Sequence, residues 1–148
     1  MGKSGAPAVS TDKEKGCPFC NINEDRILME NEKAMAIRDN FPVNPGHTLV
    51  VSKRHTGDWF DVSREERDAI MDLVGQVKMK LDREIQPAGY NIGTNVGEAA
   101  GQTVMHIHVH VIPRMEGDVD DPRGGVRLVI PERGNYKRPK YIPKARQG

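Results

Sequence analysis

Three histidines stand at alternate positions of "MHIHVHVIPR", residues Met105 to Arg114: His106, His108 and His110. Successive side chains of a β-strand point to opposite faces. In a strand these three therefore share one face, and Ile107, Val109 and Val111 take the other. The apolar face reads as core. The imidazole face adds little to a fold and needs partners for its nitrogens. Imidazole titrates near pH 6.5, so at neutral pH most rings keep a free lone pair and can act as nucleophile, base or metal ligand. The chain has five histidines. The other two, His47 and His55, flank the apolar segment Thr48–Ser52, so pairing that segment with the histidine strand would gather every imidazole in one neighbourhood.

The second group of reactive side chains is Cys17-Pro18-Phe19-Cys20, which holds both cysteines of the chain. Two cysteines are too few for a disulfide scaffold and fit a reducing compartment. Three readings stay open on the residues alone. A redox pair would normally follow a strand and open a helix, whereas a polar stretch precedes this one. Two unreactive thiols are a second reading. The third is half of a tetrahedral zinc site that two imidazoles would complete.

The elements that must carry these groups are legible in the pattern. Ile27–Glu30 and Ala34–Asp39 read as short strands, "FPVNPGH" as a turn, and Thr48–Ser52 as a nearly all-apolar strand. Ser63 with Glu66 forms a capping-box pattern. After it, Ile70, Leu73, Val74, Val77, Leu81 and Ile85 keep helical spacing until Pro87 and Gly89 end the run. Tyr90–Val96 and residues 104–113 are two more strands, joined by the small-residue loop "GEAAGQ". Beyond the polar turn "MEGDVDDPRGG", "VRLVIP" is a candidate edge segment. Strands before and after one long helix predict an α+β fold, a mostly antiparallel five-stranded sheet with that helix packed on it.

Bulk properties narrow the class. With 148 residues, a domain over 17–135 can bury a proper core. A net charge of +1 gives no global bias toward nucleic acid or membrane. Mean hydropathy is −0.62 and no apolar run approaches the roughly 18 residues of a membrane span. Residues 1–16 have no apolar signal region and read as a disordered leader, with a cytoplasmic location expected. Residues 136–148 read as a flexible basic tail.

Taken together, "HIHVHVI", "DNFPVNPGHTLVVSKRH" and "TNVGEAAGQTVMHIHVHVIPR" resemble the histidine triad superfamily of nucleotide hydrolases and transferases. The matching segments run from about Cys17 to Arg114. "AGQTV" before the triad leans toward the branch that cleaves dinucleoside polyphosphates. The resemblance implies a small second helix and a two-fold dimer extending the sheet, with Met71, Met79 and Tyr90 as candidate contact residues. It implies a purine nucleotide as substrate and His108 as the nucleophile that attacks the α-phosphorus. A covalent nucleotidyl-histidine forms, and water then releases AMP. His110 and His47 become donors to phosphate oxygens. Asn95, Gln102 and Thr103 become phosphate contacts, and the amides of 101–103 offer an anion-binding nest. Asp39 takes the ribose hydroxyls, while Phe19 and Ile37 give apolar contact to the base. Cys17, Cys20, His55 and His106 become the ligands of a structural zinc, freeing His106 from catalysis. A nucleoside phosphoramidase or a nucleotidyl transferase would use the same site. A nucleotide-binding module with little turnover, or a catalytic metal held by the triad, are further alternatives. Arg123, Arg127, Arg133 and Arg138 are candidates to reach the extra phosphates of a long substrate.

Overall fold

The computed structural model describes residues 13–136. Most of the expected leader and nearly all of the expected basic tail, including Arg138, lie outside the described residues. Five strands form one sheet: β1 (Ile27–Glu30), β2 (Ala34–Arg38), β3 (Thr48–Ser52), β4 (Gly89–Gly93) and β5 (His108–Arg114). Their order is β1-β2-β3-β5-β4, and every neighbouring pair is antiparallel.

The long helix α1 (Arg64–Glu84) separates β3 from β4. It begins where its sequence says it should. The Ser63 hydroxyl accepts from the Glu66 amide and the Glu66 carboxylate accepts from the Ser63 amide, closing the capping box. Ile70, Leu73, Val74, Val77 and Leu81 are the buried apolar residues of α1. They meet Ala34, Ala36, Val50, Val109 and Val111, which all point to one face of the sheet. Each such fully buried aliphatic side chain contributes about 1.5–3 kcal/mol against exposure.

The opposite face is where the chemistry lies. Leu49 pairs with His110 and Val51 with His108 across β3 and β5, and Ile37 pairs with Leu49 across β2 and β3. Ile37, Leu49 and Val51 form a second apolar cluster on this face, with Phe19, Ile22, Ile27 and Met35 packed against it. One strand of alternating character therefore serves two layers. Its valines complete the helix-backed core, and its histidines sit on the side covered by the Cys17–Ile27 segment.

Three expectations change. β4 ends at Gly93 instead of Val96, because its pairing runs out at the Gly93–His110 contact. β5 begins at His108 instead of residue 104, since the chain before it is drawn aside by the Ile107 amide bonding to the Thr56 carbonyl at 2.8 Å. "VRLVIP" is no edge strand. Gly124 (φ +103°) turns the chain, Gly125–Val129 forms a 3₁₀ segment, and Pro131 opens the short helix α2 (Pro131–Gly134).

A candidate active site beside a cysteine–histidine cluster

Backbone partners set the proton positions of the histidines. Nδ1 of His108 lies 2.8 Å from the His106 carbonyl oxygen. A carbonyl can only accept, so in the neutral ring Nδ1 carries the proton and Nε2 keeps the lone pair. The Val43 amide donates to His47 Nδ1 at 3.1 Å, which places the proton of neutral His47 on Nε2. That Nε2–H donates to His110 Nδ1 at 2.9 Å. Neutral His110 is then left with an Nε2–H of its own. The strand thus presents, on neighbouring same-face residues, one imidazole with a free lone pair and one with a free donor. Their ring centroids are 5.3 Å apart.

Electrostatics favours the neutral rings of His47 and His110. Burial lowers the pKa of His47, with the Asp39 carboxylate opposing it. Burial and then the neighbouring His108 and His47 push His110 down to about 4. Asp39 Oδ2 lies 3.4 Å from His47 Nε2, and its Oδ1 accepts from the Phe41 amide at 2.8 Å. The Thr94 hydroxyl donates to the His108 carbonyl at 2.7 Å and anchors the strand at His108 itself. Beside the two donors, His47, His110, Thr94 and Asn95 line a cavity of about 680 Å³, walled on its far side by Val126, Leu128 and Val129.

The triad does not act as one three-imidazole site. His106, fully buried, donates from Nε2 to the Ser52 carbonyl at 2.7 Å, and its Nδ1 faces the cysteines. Nδ1 of His106 lies 3.5 Å from Cys17 Sγ and 3.4 Å from Cys20 Sγ, while Nδ1 of His55 lies 3.2 Å from Cys20 Sγ. The edge between a thiolate and an imidazole around tetrahedral zinc is about 3.6 Å. Donor types, count and spacing fit that ion, and the Ser52 carbonyl supplies the outer hydrogen bond that orients a ligating imidazole. Burial raises the pKa of the Cys20 thiol, and a bound cation would favour the thiolate against it. Asp39, His47 and His110 also converge. Their 2.9 Å nitrogen–nitrogen contact is hydrogen-bond spacing, shorter than the about 3.3 Å edge that two imidazoles take around zinc.

The remaining expected residues fall in different places. Phe19 stands edge-on to His108, with centroids 4.9 Å apart. Ile37 is completely buried, with the partly buried Phe19, Ile22 and Ile27 packed against its cluster. Gln102 is a loop brace. Its amide nitrogen donates to the Gly57 and Val104 carbonyls, and its oxygen accepts from the Gly97 amide. The Gly101 and Gln102 amides bond to the Glu98 and Gly97 carbonyls, so neither serves the expected anion nest. Thr103 is exposed at the loop and Asn95 is half-buried near Gly101. Arg123 is paired with Asp121, and the Arg127 side chain bonds the Gly134 and Arg133 carbonyls. Neither lines the cavity beside His110, and nor does Arg133.

Thr94, the Val43 amide and the carbonyls of Ser52 and His106 were missed from the sequence. Thr94 adjoins Asn95 at a strand end, the one available hint. The three backbone groups leave no side-chain signature.

The HIT domain family model matches residues 21–117. The chain is 35% identical over 102 residues to the adenosine 5'-monophosphoramidase of Schizosaccharomyces pombe, covering 66% of this chain and 74% of that one. It is 30% identical over 104 residues to an AP-4-A phosphorylase of Mycobacterium tuberculosis, covering 70% of this chain and 53% of the larger protein. Among solved structures, a zinc-bound histidine triad family protein of Mycobacterium smegmatis superposes with a TM-score of 0.58 at 38% identity, covering 62% of this chain and 67% of that one. With its triad strand, its paired imidazoles and two thirds of its length matched, the chain belongs to the HIT family.

Proposed function

We propose that the protein is a nucleotide hydrolase or nucleotidyl transferase that works through His108. The observation that carries this reading is the His108 tautomer: Nδ1–H is committed to the His106 carbonyl, and Nε2 is left as a nucleophile. Nε2 attacks the α-phosphorus of a bound nucleotide, forming a P–N bond as the bond to the leaving group breaks. His110 Nε2–H donates to a phosphate oxygen or to the departing atom, and His47 holds it in that tautomer. Water then attacks the nucleotidyl-histidine, and a nucleoside monophosphate leaves.

The substrate we propose is a dinucleoside polyphosphate of the diadenosine tetraphosphate kind, cleaved to release AMP, as the sequence around the triad suggested. Asp39 would hold the ribose and Phe19 the base, with Asn95 and Thr103 near the phosphates. A second reading, a phosphoramidase, is favoured by the leaving-group side. Among the described residues, the cavity beside His110 is lined by Val43, Ile112, Val126, Leu128 and Val129 and by no lysine or arginine. A long polyphosphate would want cations there. For the second site we propose a structural zinc on Cys17, Cys20, His55 and His106, and for assembly a homodimer, with Met71 and Met79, exposed on α1, as candidate contact residues.

Incubation with diadenosine tetraphosphate and, separately, with an adenosine phosphoramidate, followed by product separation, distinguishes the two substrates. Acid quenching early in turnover should trap a nucleotide on the wild-type protein and none on His108→Ala, which should still bind AMP. Hydrolysis that survives His108→Ala would overturn the mechanism.

A further inference from the structure

We infer that the cysteine–histidine cluster does more than hold the fold: it positions the nucleophile, through the backbone of His106 and the ring of Phe19. This rests on the reading of His108 as nucleophile. Two contacts carry it. The imidazole of His106 belongs to the cluster, while the carbonyl of the same residue accepts the Nδ1–H that fixes the His108 tautomer. Whatever immobilises the His106 side chain therefore immobilises the acceptor that sets the nucleophile's proton.

The second contact comes from the other half of the cluster. Phe19 sits between the two cysteines, in a turn closed by the Cys20 amide on the Cys17 carbonyl at 3.2 Å. Its ring meets His106 edge-on at 5.9 Å and His108 at 4.9 Å. It also packs on Ile37, Leu49 and Val51, of which Val51 pairs with His108 itself. The turn belongs to no strand or long helix. Its place is set by the buried Cys17 and Cys20 and by the Asn21 amide bonding to the Glu14 and Cys17 carbonyls. A group that ties the two thiols to His55 and His106 would clamp Phe19 against the His108 ring. With the thiols released, the ring loses its lateral support and the His106 carbonyl loses its anchor on one side. His106 is thus a positioning residue, acting on phosphorus only through His108, and Phe19 has this positioning role beside its proposed contact with the base.

The test uses the full chain labelled with ¹⁵N-histidine, prepared zinc-loaded, stripped with a chelator, and reloaded. Ring ¹⁵N–¹H spectra report the His108 tautomer without any substrate, and single-turnover nucleotidylation reports its reactivity. Circular dichroism follows the fold. Zinc-loaded protein should show one Nδ1–H tautomer at His108. Stripped protein should show both tautomers in exchange and label at least about tenfold more slowly, with recovery on reloading, since small misplacements of a reacting group have effects of this size or more. Should stripping unfold the chain, Phe19→Ala decides, because it leaves all four ligands in place. That variant should retain zinc yet show both His108 tautomers in exchange in the absence of nucleotide, and label more slowly at saturating nucleotide. A folded, stripped protein with an unchanged His108 tautomer and labelling rate would overturn the inference. So would a single, unchanged Nδ1–H tautomer at His108 in Phe19→Ala. A tautomer that follows zinc in a protein that never becomes nucleotidylated would keep the coupling and remove the nucleophile.

Discussion

Protonating His110 should destabilise the folded protein, and the size of the effect can be worked out. The ring is held neutral because it is buried beside His108 and His47, with the Asp39 carboxylate the only opposing charge, and its pKa falls to about 4 from the ordinary 6.5. Protonation would also put a second donor against His47 Nε2–H, whose direction is fixed by the Val43 amide on Nδ1. The sign follows from proton counts. Between pH 6.5 and 4 the unfolded chain binds a proton that the folded chain refuses, so stability rises with pH across this window and is lost as pH falls through it. Full loss is about 3.4 kcal/mol below pH 4, and about 2 kcal/mol is already gone at pH 5. Solvent at this part-buried ring reduces the latter to between about 1 and 2 kcal/mol. His47 and His106 are also lowered by burial and contribute in the same direction, so the comparison must be differential. Urea unfolding of wild type and His110→Ala at pH 8 and pH 5, with zinc held constant, isolates the one ring. The variant should lose less stability on acidification than the wild type by that amount. Parallel pH profiles would refute the argument that His110 is kept neutral by its surroundings.

Two further substitutions examine the loops that frame the site. Gln102→Ala removes the two donations and one acceptance by which a 5% exposed side chain ties residues 57, 97 and 104 together. A loss of about 2–3 kcal/mol is expected for the buried partners left unsatisfied, with faster hydrogen exchange across the 97–104 loop as the local readout. Gly46→Ala should cost at least about 2 kcal/mol in chemical denaturation. Its φ is +92°, and an added Cβ would lie 2.8 Å from Leu81 Cδ2 and 3.0 Å from Ile85 Cδ1, pushing the His47 turn off α1. An unchanged denaturation midpoint would show that this turn can shift freely.

The sequence by itself was enough for the helix and the strand alternation. The α1 stripe from Ile70 to Leu81, the Ser63–Glu66 cap and the two-faced histidine strand depend on neighbours within a few residues, and period and capping chemistry are properties of such neighbours. The gathering of Cys17, Cys20, His55 and His106 was legible only through the resemblance to the histidine triad superfamily, since residue types alone offered five histidines to complete the site. What each imidazole does was decided only in three dimensions. His106 is turned away from its two triad partners by a carbonyl 54 residues distant, at Ser52. His110 depends on His47 from another strand's edge, and Gln102 proved to be a brace because two loops converge on it. "VRLVIP" had the composition of a strand, yet Gly124 and Gly125 curled it into a 3₁₀ turn. Residue types announce which reactions are possible. The proton positions that select among them are set by backbone groups far away in the chain, and only folding brings those within hydrogen-bond reach.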